Sequence, residues 1–259
     1  DIAETHLLIY GKDDALDAIL ISGILPPNLQ TLHTVASKAA LARLPTRLTS
    51  LNMWSTQLLQ DPDILLLPAT LTKLVVENSV PDLTDECIPA LPHGLIEFSA
   101  PNAIQIRGDR YAWPLGLQKL VLGNGATKPR FPPFLTHLAL SSPNLTDDCF
   151  VGMPLSVTRI HLDRTERLTG ACLKFLPNGL LRARFLFIDM LDEDVADLPR
   201  SLREFIQVHG SSHISDASAG DWPPLLEKLI CGSQLLTLEG LLRLPKSLMW
   251  IEMRLNAPI

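Results

Sequence analysis

The sequence predicts an α/β solenoid, in which short units of similar sequence stack and share one parallel sheet. A proline that follows a large apolar residue recurs at a mean interval of about 22 residues, a period typical of stacked repeats. The apolar residues behind each proline keep one spacing, as in LPATLTKLVV (67–76) and LPKSLMWIEM (244–253). The repeat prolines are Pro26, Pro45, Pro68, Pro92, Pro114, Pro132, Pro154, Pro177, Pro199, Pro223 and Pro245.

The residues after each proline predict the strand of each unit. In the pattern LPxxLxxLxL, the last two leucines are two residues apart, which is the period of a strand with one buried face. A proline has no amide hydrogen to donate to a sheet, so we expect it just before the strand rather than within it.

The domain organisation follows from the repeat. About eleven repeats are expected over residues 24–255, within a single solenoid domain that covers residues 1–259. Residues 1–23 are expected to hold a degenerate N-terminal repeat or a cap. Leu7 and Tyr10 lie 22 residues before Leu29 and Leu32, and this spacing predicts an extra strand near the start of the chain.

The other half of each unit predicts a short helical turn. LTDECIPALP (83–92), LTDDCFVGMP (145–154) and LTGACLKFLP (168–177) begin alike, and LDEDVADLP (191–199) begins with acids. A Thr or Asp can cap the free amides at the start of a helix, and acidic residues there favour its positive end. We therefore expect short α or 3-10 turns on the side of the sheet opposite its exposed face.

The pattern LPxxLxxLxL resembles the leucine-rich repeat (LRR) superfamily over roughly residues 24–255. The resemblance implies a curved horseshoe, with a parallel sheet on the concave face and short helices, 3-10 turns and loops on the convex face. It also implies recognition of another protein. The Leu-Pro phase is similar to that of secreted bacterial effectors whose LRR domain precedes a ubiquitin-ligase domain, although the repeats here are longer. The LTDxC segments are more similar to F-box-type proteins, and the subfamily stays open.

The four cysteines predict buried, reduced thiols. Cys87, Cys149 and Cys172 each lie five residues before a repeat proline, and Cys231 takes the last apolar position of its strand. Only Cys149 and Cys172 lie on adjacent repeats, as a disulfide between them would require. Reduced thiols favour an intracellular, cytoplasmic protein, or an effector that is secreted into a host cell. A sequon at Asn144 would matter only in a secretory protein.

Composition and motifs argue against several classes of function. The net charge of −6 disfavours nucleic acid as a partner. The sequence contains no uninterrupted apolar stretch of about 18 residues, so we expect no insertion in a membrane. No GxSxG or HExxH motif is present, and no close Cys/His pair has the spacing of a metal site. His209 and His213 are four residues apart, but the sequence around them predicts a loop. We therefore expect no catalytic residues, metal or cofactor in this segment, and no enzyme activity.

Basic residues gather at positions that are expected to point outwards on the concave face. Counted from each repeat proline, the fifth, seventh and ninth residues flank the buried leucines of the strand. On three successive repeats these positions hold a group that we call the basic cluster. It consists of His137, Arg159, His161, Arg182 and Arg184. Guanidinium groups suit carboxylates, so the cluster predicts a site for a partner protein with an acidic surface. The alternative is a solvated face whose charges are balanced by Asp163, Glu166 and Glu204.

An apolar strip follows the basic cluster in the same projection. Ile206, Val208 and Ile230 take outward positions, and β-branched residues exposed on an open sheet indicate an interface. Ile206 and Ile230 are therefore predicted to contact the partner. Trp113 and Trp222 take the apolar position before a repeat proline, so we expect them in the core.

Three hypotheses for the function remain. The first is a protein-protein interaction module that binds through the concave sheet surface. The second is the substrate-recognition part of a larger effector or ubiquitin-ligase-type protein whose catalytic part lies outside this segment. An Asp rather than a Met at position 1 agrees with a fragment or a processed product. The third is the LRR domain of an extracellular receptor or adhesin, which predicts cysteine-rich caps and a glycan on Asn144. The sequence specifies neither the partner nor the oligomeric state.

Overall fold

A computed structural model describes residues 6–8, 18–19, 22, 25–34, 38–54, 59–77, 82–209, 212–232 and 235–253. The chain forms two compact units, Asp1–Leu135 and Thr136–Ile259. Each unit contains its own run of repeats, and the assignment of the whole chain to one domain stays a prediction.

In the first unit, the described strands form a parallel sheet in chain order. They are β1 (His6–Leu8), β2 (Thr31–Thr34), β3 (Ser50–Met53), β4 (Lys73–Val76), β5 (Glu97–Ala100) and β6 (Lys119–Leu122). The described connections include an α-helix at Lys38–Leu41 and 3-10 helices at Asp61–Leu66 and Asp85–Ala90. This unit is therefore an α/β stack of the predicted kind.

In the second unit, the parallel sheet has the order β7-β8-β9-β11-β13-β14, and β10 pairs separately with β12. The strands are β7 (His137–Ser141), β8 (Arg159–Asp163), β9 (Arg182–Phe187), β10 (Met190–Leu191), β11 (Glu204–His209), β12 (Ser212–His213), β13 (Lys228–Cys231) and β14 (Trp250–Met253). The helical turns are Asp147–Phe150, Gly170–Phe175, Asp192–Val195, Asp216–Ser218 and Leu238–Arg243. The short turns predicted between strands are thus confirmed.

Each repeat proline closes a turn immediately before its strand. In all eleven repeats the proline carbonyl accepts a hydrogen bond of 3.0 to 3.2 Å from the amide of the third residue after it. The strand then begins at the fifth residue after the proline, from Thr31 in the first repeat to Trp250 in the last. The strand positions predicted from the prolines are confirmed, because the turn fixes where the extended backbone can start.

The third and sixth residues after each proline fill the core. The third-position residues from Leu29 to Leu226 are 0% exposed, and the sixth-position residues from Leu32 to Leu229 are at most 3% exposed. In the last repeat the sixth-position residue, Ile251, is 48% exposed because no described strand lies beyond β14. Trp113 and Trp222 are buried, as predicted, and so are all four cysteines, which are free thiols.

Polar side chains begin the helical turns in the way the sequence predicts. Four hydroxyl groups accept a hydrogen bond of 3.2 or 3.3 Å from the amide two residues further on. These N-caps are Thr84, Thr169, Ser215 and Thr237. Each cap satisfies one of the amides that a helix start leaves without a partner.

An aspartate in one repeat also binds the capping residue of the next repeat. Asp147 accepts hydrogen bonds of 2.8 Å from both the amide and the hydroxyl of Thr169. We call each such pair an Asp bridge. The four described bridges join Asp61 to Thr84, Asp147 to Thr169, Asp192 to Ser215 and Asp216 to Thr237. The acids at the helix starts therefore connect neighbouring repeats, which their position in the sequence did not reveal.

Two local predictions were wrong. The extra strand at the start of the chain exists, but Leu7 lies opposite Leu32, a separation of 25 residues rather than the expected 22. The connection between β1 and β2 is longer than the assumed period, and Tyr10 lies outside the described residues. His213 was assigned to a loop but belongs to β12, where its Cα lies opposite that of Leu191.

Candidate functional site

All the predicted site residues lie on the sheet of the second unit, in two rows that cross its strands. The first row holds the fifth-position residues His137, Arg159, Arg182, Glu204, Lys228 and Trp250. The second row holds the seventh-position residues Ala139, His161, Arg184, Ile206, Ile230 and Glu252. Within each row, every Cα is the register partner of the next, so neighbours are about 4.8 Å apart. We call the surface formed by the two rows the open face.

The open face brings the basic cluster together as the sequence predicts. Arg159, His161, Arg182 and Arg184 are exposed, and His137 is half-buried. Their side chains point to one side because each strand alternates exposed and buried residues over this stretch.

Part of the positive charge of the first row is balanced within the chain. Glu204 lies 3.7 Å from Arg182 and 3.9 Å from Lys228, so it is shared between two cations. Among the described residues, Arg159 has no ion-pair partner. The interpretation as a balanced, solvated face is therefore correct for Arg182 but does not account for Arg159.

The second row carries a cation that is free of ion pairs. Arg184 lies in register with His161 on one side and Ile206 on the other, and it forms no ion pair with any described residue. Partial burial and the positive charge of Arg184 lower the pKa of His161, although Asp163 acts in the opposite direction. His161 is therefore neutral near pH 7, and Arg184 is the permanent charge of this part of the row.

The apolar strip is less exposed than the sequence suggested. Ile206 is only 8% exposed, because Arg184 and Ile230 flank it in register on both neighbouring strands. Ile230 and Val208 are half-buried. The expectation of an exposed Ile206 was wrong, whereas its role in binding stays a prediction.

A depression of about 250 Å³ opens on this part of the sheet. Its lining includes Arg184, Ile206 and Ile230, which the sequence had singled out. Sequence reasoning missed Lys228 and Glu252, which also line it. Lys228 is the fifth residue after Pro223 and Glu252 is the seventh residue after Pro245, so their positions predicted that they point outwards. Neither was singled out, because neither belongs to the basic cluster or the apolar strip. The depression therefore combines apolar walls with charges of both signs.

No group of three or more His, Cys, Asp or Glu side chains in the described part of the chain is arranged to hold a metal ion. None of the described helices is long and apolar enough to cross a bilayer.

Comparison with known proteins identifies the fold. No protein-family model and no curated protein matches the sequence. CroV588, whose structure is described as a novel circular LRR protein, is similar over 100% of this chain with a TM-score of 0.54 and 18% identity. This chain has the leucine-rich repeat fold. The LRR chain spans 35% of the CroV588 chain.

Two further solved structures are similar to the LRR chain. The leucine-rich repeat-containing protein LegL7 from Legionella pneumophila has 13% identity and a TM-score of 0.44, covering 80% of this chain and 84% of its own. A chain of the yeast Rad7 and Elc1 complex has 16% identity and a TM-score of 0.47, covering 95% of this chain and 80% of its own.

Proposed function

We propose that this LRR chain is a protein-protein interaction module, and that its second unit binds an acidic surface of a partner through the open face. The observation that carries the proposal is the pair Arg159 and Arg184, two exposed guanidinium groups on adjacent strands without an ion-pair partner among the described residues. A guanidinium group donates paired hydrogen bonds to a carboxylate, so each arginine offers a strong contact to Asp or Glu.

The charge of the whole chain makes this local surface distinctive. The net charge is −6, whereas the four exposed side chains of the basic cluster lie together on two adjacent strands. Complementary charge accelerates association and disfavours wrongly oriented encounters. We therefore expect the complex to weaken as the salt concentration rises, since ions screen exposed charges beyond about 10 Å at 0.1 M salt.

The proposal is tested by reversing the two free arginines. Cross-linked capture from a lysate of the source cells is carried out with the wild type and with Arg159→Glu/Arg184→Glu, and captured proteins are then purified and titrated. We expect the variant to bind the purified partner at least about tenfold more weakly, because two charge-assisted contacts become repulsive.

A matched variant separates the position of the charges from their number. Lys174→Glu/Lys246→Glu changes the net charge equally at two exposed residues outside the strands. It should bind as the wild type does. Equal loss in both variants, or no loss in either, would place the binding site away from the open face.

The buried thiols support a reducing compartment as part of the same proposal. Cys87, Cys149, Cys172 and Cys231 are buried and free. Disulfides are rare where glutathione keeps thiols reduced, so four unpaired cysteines favour an intracellular site of action. Fractionation of the source cells with an antibody to the chain would contradict this if the protein were found only outside the cytosol.

A further inference from the structure

The second row gives the open face a direction. Across β9, β11, β13 and β14 it consists of Arg184, Ile206, Ile230 and Glu252, each in register with the next. The row thus passes from a cation, through two aliphatic residues, to an anion. The depression of about 250 Å³ is lined by these four residues.

The two charges at the ends of this row are available to a ligand. Arg184 and Glu252 are both exposed, and neither forms an ion pair within the described chain. They cannot pair with each other, because three strand spacings of about 4.8 Å place them about 14 Å apart. Between them, Ile206 is nearly buried and Ile230 is half-buried, and both line the depression.

We propose that the second row binds an extended segment of the partner that carries an acidic, an aliphatic and a basic residue at alternate positions, with the aliphatic residue in the middle. The acidic residue contacts Arg184, the aliphatic side chain enters the depression between Ile206 and Ile230, and the basic residue contacts Glu252. This inference rests on the proposed function, because it names the chemistry that the open face recognises in its protein partner.

The spacing of an extended chain agrees with that of the row. Alternate side chains on a strand point to the same side and are about 6.8 Å apart, so residues i and i+4 are about 14 Å apart. That is the separation of Arg184 and Glu252. Residue i+2 then lies about 7 Å from each end, above the boundary between Ile206 and Ile230. A helical segment would need about nine residues for the same length.

Charge determines which way round the segment lies on the row. With its ends exchanged, the acidic residue would face Glu252 and the basic residue would face Arg184, and like charges in contact are unfavourable at an interface. Either order of the charged residues along the segment can therefore bind, provided that the acidic residue lies at Arg184. A uniformly acidic segment would meet Glu252 unfavourably at one end, so the row discriminates against it.

A displayed library of random peptides, selected on the full chain, tests this inference directly. We expect the enriched peptides to share an acidic residue, an aliphatic residue and a basic residue at alternate positions, with the aliphatic residue in the middle and the charged residues in either order. In the variant Arg184→Glu both ends of the row are acidic, so it should enrich peptides with a basic residue at both ends, basic-x-aliphatic-x-basic. The substitution is at an exposed position, and an unchanged thermal unfolding curve confirms that the variant is folded.

Filling the depression provides a second test with a matched control. A Cβ added to Gly232, which lines the depression, or to Gly220 would have no heavy atom within 4 Å, so both positions accept a side chain without a clash. Gly232→Leu should weaken binding of a synthetic enriched peptide by about tenfold, because the new side chain occupies the apolar part of the site. Gly220→Leu should leave the affinity unchanged.

The outcomes separate this inference from the proposed function. No enrichment, enrichment of an unrelated pattern, or the same pattern from the wild type and the Arg184→Glu variant would overturn the inference. If the purified partner is still lost with Arg159→Glu/Arg184→Glu in that case, the open face remains the binding surface. If binding of the partner is unaffected by that variant as well, both proposals fail together.

Discussion

In the helical turns of the second unit, a neighbouring carboxylate limits which residue can stand at position 170. Asp194 is 9% exposed and accepts a hydrogen bond of 2.7 Å from the amide of Leu191. Burial raises the pKa of Asp194 above its usual range. A Cβ added to Gly170 would lie 1.9 Å from an oxygen of this carboxylate. Gly170 is therefore required by a neighbour in the next repeat rather than by its own backbone conformation.

Replacing this glycine should destabilise the protein. We expect Gly170→Ala to lower the free energy of unfolding by about 1–3 kcal/mol, because either Asp194 or the backbone must move from a well-packed position. Urea unfolding followed by circular dichroism gives the difference. The control is Gly220→Ala, whose Cβ meets open space. Equal stability of the two variants would contradict this expectation, because the helical turns around Gly170 would then relax without loss of unfolding free energy.

At the scale of elements, Asp bridges connect neighbouring helical turns. Asp192 accepts hydrogen bonds from the amide and the hydroxyl of Ser215 at 2.7 and 2.6 Å, and from the hydroxyl of Ser218 at 2.6 Å. Burial on its own raises the pKa of Asp192, but these hydrogen bonds outweigh it and lower the pKa below the usual value. The ionised carboxylate is therefore the form that holds the two turns together.

This bridge predicts a pH dependence of stability. Since the pKa of Asp192 is lower in the folded chain, its contribution is complete above the unfolded pKa of about 3.9 and is lost as the pH falls through the folded pKa. The difference in unfolding free energy between the wild type and Asp192→Asn should be constant from about pH 7 to 5 and shrink below about pH 4. Asp221→Asn, at an exposed residue, is the control. A difference that does not change with pH would contradict the assignment.

At the scale of the whole molecule, every cysteine is part of the core. Cys87 lies in the first unit, and Cys149, Cys172 and Cys231 lie in the second. Burial is the main cause that raises the pKa of Cys87, Cys172 and Cys231, in the last case to about 12. These three cysteines therefore present almost no thiolate, which is the reactive form of cysteine, and Cys149 is equally buried.

Thiol reactivity should consequently report unfolding in both units. In native protein at about pH 8, a thiol reagent such as dithiobis(nitrobenzoate) should react with none of the four cysteines on the time scale of minutes. In denaturant all four should react rapidly, and the stoichiometry is read from absorbance. Fast reaction of even one thiol in the native protein would show that its repeat opens readily.

The repeat architecture could be derived from the sequence because it depends on local and periodic features. Each proline sets a turn with the third residue after it, and the strand can begin only beyond that turn. Thr84 and Thr169 cap their helical turns through amides two residues away, which is also a local interaction. The grouping of Arg159, Arg182 and Arg184 on one surface followed from counting positions after the prolines.

The details of the site were decided by tertiary contacts between residues that are some twenty positions apart. Ile206 became buried because Arg184 and Ile230 flank it on adjacent strands, and Arg182 found a partner in Glu204. The Asp bridges and the pairing of β1 with β2 also join residues that are distant in sequence. Period and turn chemistry specify the strands that follow the repeat prolines, the core residues at the third and sixth positions and the capping hydroxyls, so all of these could be derived from the sequence. The register of β1, the strand β12, the pairing of charges and the covering of side chains could not, because they depend on the neighbours that stacking brings together.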